Sequence, residues 1–321
     1  MKTFIQKLTV VLLKAISYLP FPILYGISDL FFVVFYYLIS YLKQVVLSNL
    51  RHSFPEKTDR ELKTIARIYY RHFADLTLET IKMNRMPEKV MRKHIKFINT
   101  NRLESVAHEG RGIVLLCMHY NNWEWNSFLA QSINFRLLMV YSPMPSNPYM
   151  EKYITTIRKQ FGTEDVPMPK APRAAIQLND GPPYGLMWLA ADQTPPAASQ
   201  YWTTFLNQET PFFAGPQKIA SKTNCAVYFH YVHKVKRGQY VADFIEITSS
   251  PATDGEHAVL LDYVDIVEQI IRRKPDYWLW SHRRWKHSRS DNQKLIPRNP
   301  VNRFEQQVND MMDGLNQIKS I

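Results

Sequence analysis

The fold class of this chain follows largely from one stretch, Gly112-Ile-Val-Leu-Leu-Cys-Met-His119-Tyr-Asn-Asn-Trp-Glu124. Its apolar first half is typical of a buried strand, and a histidine and a glutamate follow it, five positions apart. On a helix, five residues at about 100° each would put these two side chains roughly 140° apart, on different faces. His119 and Glu124 can therefore meet only if the chain turns between them. We expect His119 at the end of a strand and Glu124 at the start of the next helix, a corner where α/β proteins place their chemistry.

The polar residues of this corner favour a functional interpretation. An imidazole steadied by a carboxylate is a general base that needs neither a metal nor a protein nucleophile. Asn121, Asn122 and Glu124 bring polar groups against an apolar run, which a plain core avoids unless each group is hydrogen-bonded. The spacing alone is weak, because a single histidine after a buried strand is more often structural. Both interpretations stay open on this stretch alone.

Strand and helix patterns alternate along the rest of the chain. Besides Ile113–Met118, strands are predicted at Leu137–Tyr141, Leu186–Ala191, Ala226–Val232 and Tyr240–Ile247. Helical patterns at Met150–Phe161 and Pro172–Leu178 separate several of them. A capping box, Thr58-Asp-Arg-Glu61, predicts the start of a long amphipathic helix that runs to about Met83. This order predicts an α/β fold with a mostly parallel sheet flanked by helices.

The last predicted strand, Tyr240–Ile247, carries one acidic residue on each of its faces. A charge on both faces suits the edge of a sheet better than a doubly covered centre. A short polar segment connects this strand to Ala226–Val232, so the two are expected to pair as an antiparallel hairpin.

Composition narrows the class of function. The chain has 321 residues, 45% of them hydrophobic, and its 40 Lys and Arg against 28 Asp and Glu give a net charge of +12. Such a surplus is typical of proteins that bind nucleic acid, an anionic membrane or an acidic partner. Zinc-finger spacing, a Gly-rich phosphate loop and an RNP-like run are absent from the sequence, which argues against nucleic acid. Two cysteines, Cys117 and Cys225, lie in apolar runs and are expected to be core thiols rather than a disulfide.

The N-terminus indicates a membrane protein. The run from Phe21 to Leu42 carries one charge, Asp29, and is long enough to cross the about 30 Å hydrocarbon layer of a bilayer. The cations that follow it favour a cytoplasmic catalytic domain: Lys43, Arg51 and Lys57. Lys2 and Lys7 on the other side also fit an anchor that lies along the membrane with both ends in the cytoplasm. We predict an anchor over residues 1–48 and an α/β catalytic domain over 49–321.

Three motifs in order resemble one family. His119-Tyr-Asn-Asn-Trp-Glu124 resembles the His-x4-Glu core of the bacterial lipid A late acyltransferases, the membrane-bound lauroyl and myristoyl transferases. Asp192-Gln193 follows an apolar run, as the family's Asp-Gln does, and Pro275–Lys286 resembles its C-terminal aromatic and His-Arg-Arg-Phe-Lys signature. The resemblance covers roughly residues 15 to 290. The segment Thr194–Gly215 is longer than in better-known members, and Trp285 replaces the usual Phe.

The resemblance implies a glycerolipid-acyltransferase-like fold and transfer of an acyl chain from a thioester to a lipid hydroxyl. His119 would take the hydroxyl proton, and Glu124 would orient its ring. The donor would be acyl carrier protein, or acyl-CoA, as a co-substrate, the acceptor a lipid A precursor, and no cofactor would be needed. Because the sequence lacks a Gly-x-Ser-x-Gly elbow, we expect direct attack without an acyl-enzyme.

Other functions remain open at this point. The acceptor could be another glycolipid, an aminolipid or a lysophospholipid, since Thr194–Gly215 departs from the family. The protein could also have kept the fold as a non-catalytic lipid-binding protein, although His119 and Glu124 are both retained. Hydrolysis of the thioester by water is a conceivable side reaction.

Further site residues follow from the resemblance and the predicted strand ends. Arg158 and backbone amides near Glu124 would stabilise the oxyanion, and the positioning residues would be Asn122, Trp123, Asp192 and Gln193. Phosphate or carrier binding is expected from Arg173, His282, Arg283, Arg284 and Lys286. His230 and His233 make a poor metal pair, and no metal is predicted. The proline-rich segment Ser142–Pro148 is expected near the mouth of the site, and the protein at the inner membrane.

Overall fold

A computed structural model describes residues 2–298 and 303–320 of the chain. The strands in this part are β1 Ile95–Phe97, β2 Ile113–Cys117, β3 Arg136–Tyr141, β4 Glu164–Pro167, β5 Gly185–Ala190, β6 Trp202–Phe205, β7 Gln208–Pro211, β8 Ala226–Lys236 and β9 Gln239–Thr248. The α-helices are α1 Lys2–Ile16, α2 Phe21–Val33, α3 Lys43–Ser53, α4 Asp59–Met83, α5 Glu88–Met91, α6 Asn101–His108, α7 Pro148–Lys159, α8 Ala171–Ala175, α9 Gly215–Thr223, α10 Ala258–Arg273 and α11 Glu305–Asn316. A π-helix, Val34–Leu38, extends α2, and 3₁₀ helices span Trp123–Gln131, Met168–Lys170 and Pro275–Tyr277.

Seven strands form a curled sheet in the order β1-β9-β8-β2-β5-β3-β4. All neighbours are parallel except β8 and β9, which form an antiparallel hairpin. Alternate residues of β2 enter two different hydrophobic clusters, one on each face of the sheet. Helices therefore cover both faces, and the predicted α/β class is confirmed.

The position of β9 corrects one prediction. Its outer side pairs with β1 over Tyr240–Ala242, so β9 is not the outermost strand as predicted, although both of its acids lie beyond the paired residues. Each acid has a specific partner instead. Asp243 accepts a hydrogen bond from Asn99 at 2.9 Å, and Glu246 accepts one from Tyr228 at 2.9 Å. Hydrogen bonding makes the buried carboxylate of Asp243 tolerable, whereas Glu246 is exposed to solvent. The hairpin of β8 and β9 is confirmed.

A glycine at the start of β2 sets how closely the central strands approach. A Cβ on Gly112 would lie 2.7 Å from the carbonyl oxygen of Leu178 and 2.8 Å from that of Gly185. Neither backbone oxygen can yield, so any larger side chain would push β2 and β5 apart. The register of these two strands places their carboxyl ends side by side, with Cys117 opposite Ala190. The residues that follow, His119 and Asp192, thus emerge at one edge of the sheet.

The N-terminal helices are docked on the α/β body. Helix α4 begins at the predicted capping box, with Thr58 and Glu61 bonded reciprocally. Helix α2 packs along α4 through Leu24 and Phe32, which are buried. The segment Phe21–Leu38 is long and apolar enough to cross a membrane by length and composition, which is weak support for a crossing.

The segment Thr194–Gly215 forms a small two-stranded antiparallel sheet of β6 and β7, separate from the main sheet. Sequence patterns did not predict these short strands. The segment brings Pro195, Pro196 and Phe213 to the cavity described below.

Candidate functional site

The sheet brings His119 and Asp192 into direct contact. The His119 ring lies with Nδ1 2.7 Å from Oδ1 of Asp192, and the His119 backbone N–H donates to Oδ2 at 2.9 Å. This geometry corrects the expected pair of His119 and Glu124, because among the described residues it is Asp192 that holds the ring. The predicted corner itself is correct, since β2 ends just before His119 and Glu124 lies in the first turn of the 3₁₀ helix.

Asp192 is a buried carboxylate held by three donors. It is 2% exposed, and Trp278 Nε1 donates to its Oδ2 at 2.8 Å, beside the two bonds from His119. Burial alone would raise the pKa of Asp192, but the His119 charge and these hydrogen bonds outweigh it and hold the pKa below its usual value. Asp192 therefore stays ionised and accepts the Nδ1–H of His119.

With Nδ1–H donated to Asp192, the lone pair of His119 lies on Nε2. This atom is 3.1 Å from the side-chain amide nitrogen of Gln193, which donates to it. Trp123 packs edge-on against the ring, with centroids 5.2 Å apart. The imidazole is thus held in the tautomer that a general base needs, with Nε2 beside Gln193.

The turn after His119 is built by buried amides. Asn121 has a positive φ of 51°, and its side-chain amide donates to the Val232 carbonyl at 2.7 Å. Asn122 caps the 3₁₀ helix by accepting from the Trp125 N–H at 3.2 Å. Its amide nitrogen donates to buried Glu79 at 2.8 Å. Asn122, predicted to position substrate, has its amide used by the fold.

Glu124 forms an ion pair with Arg158 rather than with the histidine. Arg158 Nε and Nη2 approach the two carboxylate oxygens at 2.9–3.1 Å, and Trp123 Nε1 donates to Glu124 at 3.1 Å. Each partner of the pair is 13% exposed. Burial alone would lower the pKa of Arg158, but the Glu124 charge and hydrogen bonds outweigh it and raise the pKa above its usual value. The Nη1 atom of Arg158 takes no part in this pair.

His119, Glu124 and Arg158 open into one cavity of about 550 Å³. Its walls are mainly apolar, from residues that include Val140, Met144, Ile154, Met168, Trp188, Leu189, Phe213 and Ile219. Ser142 and Met144 of the predicted mouth segment also line it. An apolar cavity with a few convergent polar groups is the usual form of a small-molecule or lipid-tail site.

The C-terminal signature forms a wall behind the histidine. The Leu279 N–H donates to the His119 carbonyl at 3.1 Å, and the Asn121 N–H donates to the Tyr277 carbonyl at 3.2 Å. These bonds and the Trp278 bond to Asp192 hold both halves of the site. Sequence patterns gave Trp278 no role of its own, because its bond to Asp192 joins residues that lie far apart in the chain.

Two residues expected to bind phosphate or a carrier are not available for it. Arg284 is fully buried, donates to the Pro211 carbonyl and lies over the Phe212 ring, so its assignment to a docking surface is wrong. His282 accepts a hydrogen bond from the Thr194 N–H at 3.1 Å. Burial lowers its pKa to about 4, so this ring is neutral at physiological pH. Both side chains serve the packing around Asp192.

The other expected cations lie at or near the surface. Lys286 is exposed and lines the cavity, Arg283 is exposed beside it in sequence, and Arg173 is exposed on α8. Carrier or phosphate binding by these three stays a prediction. Among the described residues no cluster of three His, Cys, Asp or Glu could hold a metal ion. Cys117 and Cys225 are buried free thiols, as expected for core cysteines.

Comparison with known proteins identifies the family of this chain. The family model described as bacterial lipid A biosynthesis acyltransferase matches residues 1–287. No curated protein matches the chain. The match takes in the N-terminal helices, the His119 corner, Asp192 and the C-terminal signature. The chain therefore belongs to the bacterial lipid A biosynthesis acyltransferases.

Proposed function

We propose that this protein transfers a fatty acyl chain from an acyl carrier protein thioester, or acyl-CoA, to a hydroxyl of a lipid A precursor. The observation that carries the proposal is the His119 ring, held by buried Asp192 with its Nε2 facing an apolar cavity. The catalytic domain, residues 49–321, would face the cytoplasm at the inner membrane, with residues 1–48 as its anchor.

The proposed reaction is a direct transfer. His119 Nε2 takes the proton as the hydroxyl oxygen attacks the thioester carbonyl carbon, and Asp192 stabilises the imidazolium. The tetrahedral intermediate collapses by breaking the carbon–sulfur bond, and the imidazolium returns the proton to the leaving sulfur. No acyl-enzyme forms, since both cysteines are buried and burial raises the pKa of each thiol.

Arg158 is the proposed oxyanion donor. Its Nε and Nη2 are fixed by Glu124, so the guanidinium is held rigidly while its Nη1 protons stay available to a carbonyl oxygen in the cavity. In this proposal Glu124 orients Arg158, not His119. Fixed donors of this kind contribute about 10²–10³-fold to the rate.

The test is acyl transfer by the purified full chain from labelled acyl carrier protein to a lipid A precursor, compared between His119→Ala and His108→Ala. His108 is exposed at the end of α6, so its substitution controls for loss of a histidine. Transfer lost only in His119→Ala supports the proposal. Equal fatty acid release with and without the lipid indicates hydrolysis instead, and full activity of His119→Ala would remove its role as base.

The donor is tested by charge reversal at the cavity mouth. We expect Lys286→Glu and Arg283→Glu to raise KM for acyl carrier protein far more than KM for acyl-CoA, because only the protein donor presents an extended acidic surface. Equal effects on both donors would contradict carrier docking at these residues. Replacing the lipid A precursor by a lysophospholipid or an aminolipid tests the acceptor in the same assay.

A further inference from the structure

Helices α1 and α2 expose apolar faces that no other described residue covers. On α1 the exposed apolar side chains recur at helical spacing: Phe4, Ile5, Leu8, Val11 and Leu12. On α2 and its π-helical extension they are Ile23, Leu30, Val33, Tyr37 and Leu38, with Leu38 72% exposed. Contiguous apolar surface of this kind marks an interaction site.

Polar contacts bind α2 to the catalytic body along its length. Tyr25 donates to Glu79 of α4 at 2.9 Å, and Ser28 donates to Asp75 of α4 at 2.7 Å. Arg237, in the turn between β8 and β9, bridges Asp29 at 2.8 Å and Asp75 at 2.6 Å. Helix α2 therefore cannot enter a bilayer without carrying α4 and this turn with it.

The α4 surface beside α2 is basic. Arg60, Lys63, Arg67 and Arg71 follow at three- and four-residue steps, and the first three line a groove with Tyr36 of the π-helix. Arg71 approaches Asp29 at 3.5 Å, whereas Arg60, Lys63 and Arg67 form no ion pair with any described residue. We call Arg60, Lys63 and Arg67 the basic stripe. Its cations are free to meet an anionic surface.

Charge and apolar surface together decide the orientation of α2. If α2 crossed the bilayer, Asp29, Arg71 and Arg237 would lie near its midplane, because Asp29 is at the middle of the apolar run Phe21–Leu38. Ionised groups at that depth are costly. If α2 instead lies in the membrane plane, its apolar face enters the lipid and the basic stripe lies at the depth of the phosphates.

We propose that α1 and α2 do not cross the membrane but lie in the interface of an anionic phospholipid leaflet, with the basic stripe on the headgroups. This deepens the membrane association included in the proposed function. The same arrangement suits substrate entry. Gln6 of α1 donates to the Ser146 carbonyl at 2.8 Å, and Lys7 lies over the Tyr149 ring, so α1 adjoins the loop that lines the cavity mouth.

The first test uses cysteine labelling to distinguish helices that cross the membrane from helices that lie in its interface. Lys14→Cys, just before α2, and Ser48→Cys, after it, are each exposed, and Cys117 and Cys225 are buried and give little background. A membrane-impermeant maleimide should label both new cysteines in inverted inner-membrane vesicles and neither in spheroplasts. Labelling of Lys14→Cys from the outside overturns the proposal. Detergent-solubilised samples confirm that each site reacts.

The second test measures binding of the purified full chain to vesicles of phosphatidylcholine with or without phosphatidylglycerol. Each cation near an anionic surface contributes about fivefold to binding, so R60Q/K63Q/R67Q should lose on the order of 100-fold, only with phosphatidylglycerol. The charge-preserving R60K/K63R/R67K should bind like the parent. Equal loss on both lipids, or none, overturns the stripe's role.

The two tests also distinguish this proposal from carrier docking at the basic stripe and from the proposed acyl transfer. If the stripe instead docks the acidic carrier, R60Q/K63Q/R67Q keeps vesicle binding and raises KM for acyl carrier protein, which also overturns the proposal. If the proposed acyl transfer fails but labelling and binding behave as described, the membrane arrangement stands on its own.

Discussion

The assignment of the two carboxylates makes a sharp prediction at Asp192. The two oxygens of the Asp192 carboxylate accept three hydrogen bonds, two from His119 and one from Trp278. In Asp192→Asn the side-chain amide has only one oxygen that can accept them. If the amide oxygen accepts from His119 Nδ1–H, the amide NH₂ faces the His119 backbone N–H and the Trp278 Nε1–H, which then lose their acceptor. If the NH₂ faces Nδ1 instead, the ring must carry its proton on Nε2 and can no longer act as the base.

The loss in kcat and the loss in stability can both be approximated. A wrong tautomer in a histidine held by an acid reduces kcat about 10⁴-fold, and the corresponding loss of transition-state stabilisation is about 5 kcal/mol at 1.36 kcal/mol per tenfold. Each buried N–H left unpaired costs about 1–3 kcal/mol of stability. We therefore expect Asp192→Asn to fold with a lower Tm and to lose most of its kcat while KM changes little.

Glu124→Gln provides the matched comparison. It also removes one negative charge near His119, yet it leaves the contact of His119 and Asp192 in place and releases Arg158 instead. The assay is modification of His119 by diethylpyrocarbonate, followed by peptide mass spectrometry, beside steady-state kinetics. This reagent reacts with the unprotonated ring nitrogen, so it reports the tautomer without needing substrate. We expect Asp192→Asn to slow the modification at least tenfold and Glu124→Gln to change it less than twofold, given the orienting role of the acid.

The opposite ordering would refute the reasoning. If Asp192→Asn keeps the parent's modification rate and a kcat within about tenfold of it, while Glu124→Gln loses both, then Glu124 orients the ring and the buried contact is only structural.

Three further predictions follow from buried groups outside the cavity. The Glu79 carboxylate accepts hydrogen bonds from Tyr25, Tyr240 and Asn122, and Glu79→Gln would replace one of its oxygens by an amide donor. We expect the free energy of unfolding, measured with denaturant, to fall by about 1–3 kcal/mol. We also expect a lower kcat, because Asn122 caps the 3₁₀ helix that carries Glu124. Burial lowers the pKa of His230 to about 3. Between about pH 6.5 and pH 3 the His230 ring is protonated in the unfolded chain but not in the folded one, so the stability of the protein falls as the pH falls. We expect His230→Leu to flatten this part of the acid unfolding curve. A Cβ on Gly238, at a φ of 72°, would overlap the Tyr25 hydroxyl, so Gly238→Ala should loosen α2 and speed proteolysis between α1 and α3.

Much of the sheet could be predicted from local patterns, and the failures have physical causes. Long apolar runs such as Ile113–Met118 and Leu186–Ala191 identify central strands because both faces are covered. The three-residue strand β1 carries too little pattern to be recognised, and it pairs with the first part of β9, at Tyr240–Ala242. The two acids of β9 lie beyond the residues that β1 pairs with, so they indicate an uncovered stretch of the strand rather than an outermost strand.

The candidate site shows the same division. Spacing correctly predicted a corner between His119 and Glu124, because it depends only on local geometry. The choice of partner depended on strand order, since Asp192 meets His119 only because β5 lies next to β2. Nothing local could reveal that Arg158, from α7, would engage Glu124 and so leave the histidine to Asp192.

The burial of the charged Arg284 side chain can be explained from the other charges of the site. Its guanidinium is fully buried with one hydrogen bond, to the Pro211 carbonyl, and two of its nitrogens have no partner among the described residues. Burial lowers its pKa to about 10, which still leaves it charged at neutral pH, and the charge of Asp192 acts in the opposite direction. Glu124 is already paired with Arg158, so the charge that the buried Arg284 guanidinium offsets is that of Asp192. In the proposed transfer the imidazolium and the oxyanion would arise together, so this balance would be kept in the transition state. In the proposed mechanism, a buried cation that is costly for folding thereby helps to keep Asp192 ionised behind the apolar cavity.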